Sequence, residues 1–152
     1  MPEIQIKVKG IERLERALGG DFIDDLLRPG LGKAAVIVEG AWKGKAHRVT
    51  GKYQGSIGHR LEGHGSGLQA RVGPQPGLGQ PRHYTASMSS RWKRPRAGTN
   101  RGDPQVYAVF EDQGTRYREG HPAAEPAVRD NADRIASVVQ AEADRALDRR
   151  SR

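Results

Sequence analysis

The sequence has no cysteine, so disulfide bridges and thiolate metal sites are excluded and the redox compartment leaves no trace. Aromatic residues make up only 5% and hydrophobic residues 35%, below the usual globular share. A chain this poor in apolar residues buries a modest core, and partner subunits are expected to supply the rest. No stretch approaches the roughly 20 apolar residues that span a bilayer. The first ten residues alternate polar and apolar and lack the continuous apolar core of a signal peptide. A soluble protein made in the cytoplasm, with no membrane partner, is the expectation.

At 152 residues the chain reads as a single domain, 1–152. Its net charge of +8 points to a polyanion or to acidic neighbouring proteins without choosing between them. Ile4, Ile6 and Val8 alternate with Gln5, Lys7 and Lys9, the period of a strand with one buried face. Ile11, Leu14 and Leu18 share one face of a short helix that Gly19-Gly20 stops. Phe22, Ile23, Leu26 and Leu27 form an apolar cluster before Pro29-Gly30. A longer helix over about Leu31–Arg48 follows, carrying Leu31, Ala35, Val38, Trp42, Ala46 and Val49 on one stripe. Ile57, His59 and Leu61, then Leu68, Ala70 and Val72, predict an antiparallel hairpin. Val106–Phe110 predicts a fourth, central strand. Pro122 and Pro126 flank the start of a last helix with Val128, Ala132, Ile135, Val139, Ala143 and Ala146 on its inner face. The order predicts an α+β fold: a small antiparallel sheet of about four strands against one long helix and a C-terminal helix.

Residues 74–105 break the pattern. They read as a long basic loop in which Arg82, Arg91, Lys93, Arg94, Arg96 and Arg101 meet the single acid Asp103. Tyr84 and Trp92 stand among these cations, a pairing that suits phosphate contact and base stacking. The plainer reading is a solvated loop or one docked on an acidic neighbour.

Catalytic signatures are sparse. Glu111, Asp112 and His121 offer ligand types for zinc, but no second histidine stands at helix-face spacing from His121. His47, His59, His64 and His83 are scattered. No serine sits in a Gly-x-Ser-x-Gly setting. Gly32-Lys33 is followed by Ala34, without the first glycine or the hydroxyl of a phosphate loop. The expectation is a non-enzyme without a cofactor or resident metal.

Three segments remain. Thr50-Gly51-Lys52-Tyr53-Gln54-Gly55-Ser56-Ile57 joins the long helix to the hairpin; Tyr107-Ala108 leads through Glu111-Asp112 to Gly114-Thr115; His121-Pro122-Ala123-Ala124-Glu125-Pro126-Ala127 precedes the last helix. In this order they resemble the small neck and tail-completion proteins of long-tailed bacteriophages, also described as minor tail components or head–tail connectors. That family carries Thr-Gly-x-Leu-x-x-Ser-Ile, Tyr-Ala-x-x-x-Glu-x-Gly-Thr and Pro-Phe-Leu-x-Pro-Ala segments. Here Tyr53 takes the leucine place and Ala123-Ala124 the Phe-Leu place. The likeness covers nearly the whole chain outside the basic loop.

The resemblance implies a structural virion protein, a homo-oligomeric ring, expected hexameric, at the head–tail junction, through which DNA passes. Its implied neighbours are head-closure, tail-terminator or tail-tube proteins. Thr50, Gly51, Ser56, Tyr107, Glu111, Gly114, Thr115, Pro122 and Pro126 would shape turns and subunit contacts. The six loop cations would touch genomic double-stranded DNA without sequence preference, or an adjacent ring. The alternative is a free-standing, sequence-nonspecific nucleic-acid-binding protein.

Overall fold

A computed structural model describes residues 3–46, 52–75, 114–115 and 118–150. Strand β1 (Ile4–Lys7) starts the chain. Gly10, at φ +84°, turns it into helix α1 (Glu12–Leu18). Gly19, at φ +88°, separates α1 from the dominant helix α2 (Gly20–Lys45). A short helix α3 (Lys52–Ser56) leads straight into β2 (Ile57–Glu62). A single 3₁₀ turn at Gly65–Gly67 precedes β3 (Gln69–Pro74). Later come the two-residue strands β4 (Gly114–Thr115) and β5 (Arg118–Glu119), then α4 (Ala124–Arg129) and α5 (Ala132–Arg150).

The predicted α+β class holds. The sheet is antiparallel in the order β1-β3-β2, with β1 registered as Ile4↔Val72 and Ile6↔Ala70, and β2 as His59↔Val72 and Leu61↔Ala70. Among the described residues it has three strands rather than four; Val106–Phe110 lies outside them. Beta4 and β5 form a two-stranded antiparallel ribbon, Gly114↔Glu119 and Thr115↔Arg118.

Pro29-Gly30 does not interrupt the helix. Alpha2 runs through it for 26 residues, about 39 Å at 1.5 Å per residue. Proline removes one ladder hydrogen bond. The stripe Ile23, Leu27, Leu31, Ala35, Val38 and Trp42 continues across the break and is buried throughout, which offsets that loss. Gly30 has its own reason to lack a side chain. A Cβ there would stand 3.1 Å from Val139 Cα and 3.2 Å from Val139 O, so the backbones of α2 and α5 approach each other at this glycine.

Two further expectations change. Leu14 and Leu18 are exposed, and only Ile11 of the expected α1 face joins the core. The last helix is divided. Asn131 Nδ2 donates to Ala127 O at 2.9 Å, closing α4, and Asn131 O accepts from Ile135 N at 2.9 Å, opening α5. Pro126 lies within the first turn of α4, where its missing N–H costs nothing, rather than flanking the last helix.

The outer face of the sheet places Arg60 opposite Arg71. Glu3 and Glu62 interleave the two guanidiniums. Glu3 lies 3.3 Å from each arginine, and Glu62 contacts Arg60 and lies 2.8 Å from Arg71 Nε. That last approach is ionic, off the N–H direction. No helix among the described residues is long and apolar enough to cross a membrane.

Candidate functional site

The best-defined constellation sits where α2 hands over to α3 and β2. Trp42 and Ile57 are fully buried and Tyr53 nearly so. Trp42 Nε1 donates to Tyr53 Oη at 3.1 Å, a bond wholly inside the core. Ser56 is equally buried, and its Oγ donates to Tyr53 O at 2.6 Å. Ser56 O in turn accepts from Gln75 N at 2.8 Å, past the end of β3. Gln54 Nε2 donates to Lys43 O at 2.5 Å, satisfying a carbonyl in the last turn of α2. Hydroxyl, indole and amide groups thus have partners within a joint that fixes the angle between long helix and hairpin. A buried serine whose hydroxyl is spent on its own helix's carbonyl is poorly placed as a nucleophile.

The remaining residues singled out in the sequence are placed unevenly. Arg82, Arg91, Lys93, Arg94, Arg96, Arg101, Thr50, Gly51, Tyr107 and Glu111 lie outside the described residues, as does Asp112. Gly114 and Thr115 form β4; Pro122 precedes α4 and Pro126 lies in it. His121 is exposed. Among the described residues no group of three His, Cys, Asp or Glu side chains is arranged to hold a metal ion.

Among the described residues four carboxylates carry perturbed acidity, each held below the usual range. At Asp24 burial pushes the carboxyl up, but hydrogen bonds from Arg28, the Gly65 N–H and His64 outweigh it. At Glu39 burial is again opposed and overcome, here by His59 and Lys43. Asp130 is lowered first by Lys45, and Glu142 first by Lys33, 2.6 Å away, with Arg145 beside it. All four are ionised and already engaged by cations near neutral pH. Such groups tie elements together; a general base needs a pKa nearer the working pH.

Surface shape offers more than surface acidity. Beta1 and α5 enclose an open groove of about 540 Å³, floored by Leu31. Its walls are Ile4, Ile6 and Val8 on one side and Ile135 and Val139 on the other. These are the two apolar patterns that the sequence marks as inward faces, and here they remain only half-buried. Ala132, expected on the same inner stripe, is exposed. Either pattern was visible in the sequence; that they meet across a gap was not.

No protein-family model, curated protein or solved structure matches the chain.

Proposed function

We propose that this chain is a structural subunit of a long-tailed bacteriophage, assembling with copies of itself into a ring at the head–tail junction. The observation that carries the reading is the order and spacing of the three segments around Thr50–Ile57, Tyr107–Thr115 and Pro122–Ala127. The geometry around the first segment supports it. Tyr53, Ser56 and Ile57 belong to a buried joint, the behaviour of an architectural motif rather than a reacting one. The half-covered groove and the exposed Leu14, Leu18 and Leu147 are surfaces that neighbouring subunits would cover. A closed ring uses such surfaces heterologously, one face of each subunit against a different face of the next.

In this reading the cations Arg82, Arg91, Lys93, Arg94, Arg96 and Arg101 line the DNA path or grip an adjacent ring. Translocating DNA has to slide, so the contact is with phosphates and blind to sequence. Neutralising Arg91, Lys93, Arg94 and Arg96 together in the phage is expected to lower the yield of full, infectious particles. Wild-type titre and stable full particles would remove the loop's assigned role. The same basic segment supports the second reading, a free-standing nucleic-acid-binding protein. Steeply salt-dependent DNA binding by the isolated monomer, with no assembly into particles, favours that reading over the ring.

A further inference from the structure

We draw no further inference here: the strongest candidate, the half-covered apolar groove between β1 and α5, carries nothing because nothing among the described residues shows what covers it, residues 76–113 lying outside them.

Discussion

Gly30 and Val139 meet backbone to backbone: any Cβ on Gly30 would stand 3.1 Å from Val139 Cα. The two longest helices are thus seated on a glycine that intrinsic propensity disfavours by about 1 kcal/mol relative to alanine. Gly30→Ala should nevertheless destabilise, by roughly 1–3 kcal/mol, because neither backbone can yield without separating α2 from α5. Gly40→Ala is the control. Nothing lies within 4 Å of a Cβ there, and the same substitution should stabilise by roughly 0.5–1 kcal/mol. Urea unfolding of both variants, read at constant m, decides between them.

The Trp42–Tyr53 bond predicts a second asymmetry. Tyr53→Phe deprives the buried Trp42 N–H of its acceptor and should cost about 1–3 kcal/mol. Trp42→Phe combined with Tyr53→Phe should cost less than the two single losses added together, since the orphaned donor disappears. A double-mutant cycle by denaturant unfolding measures the coupling; additive losses would show that the bond contributes nothing specific.

Acid should loosen the fold. Asp24, Glu39, Asp130 and Glu142 are all held below their ordinary values in the folded chain. The unfolded chain therefore binds more protons as pH drops through the carboxylate range, and stability rises with pH there. The contribution is complete above the ordinary glutamate value of 4.5 and is lost as pH falls through the lower folded values. Glu142→Gln should flatten the acid limb of a stability-against-pH curve followed by circular dichroism. An unchanged limb would mean that its contacts with Lys33 and Arg145 carry no linkage.

The four-charge cluster on the outer sheet face predicts a small, salt-sensitive effect. Glu62→Gln leaves Arg60 facing Arg71 with only Glu3 between them. Because these groups are partly exposed, the loss should be below about 1 kcal/mol and should shrink at high salt. A large loss independent of salt would assign Glu62 a different role.

Several elements were legible from local pattern because local pattern caused them. The alternation of Ile4, Ile6 and Val8 marked β1, and the Ile57–Leu61 and Leu68–Val72 runs marked the hairpin and its antiparallel pairing. The extent of α2 was not legible, since Pro29-Gly30 reads as a stop when only local propensity is weighed. A tertiary demand overrides it: continuous burial from Ile23 to Trp42 and the close passage of α5. Helix α3 was missed because its five residues carry too little period to show. The buried joint was half-visible. Ser56 and Ile57 were singled out for their motif, but the Trp42–Tyr53 bond links residues that sequence spacing does not pair. The groove needed two patterns to be set face to face, which only the packing of α5 along α2 provides.

The central claim is that this chain completes itself by assembling with its own copies. Sedimentation velocity of the purified full chain over a wide concentration range, with the heaviest species imaged by negative-stain electron microscopy, tests it most directly. The account predicts a discrete closed species, a ring of six subunits, forming at the expense of monomer as concentration rises. A chain that stays a stably folded monomer throughout, and that also fails to enter rings when mixed with head–tail junction proteins, would contradict it.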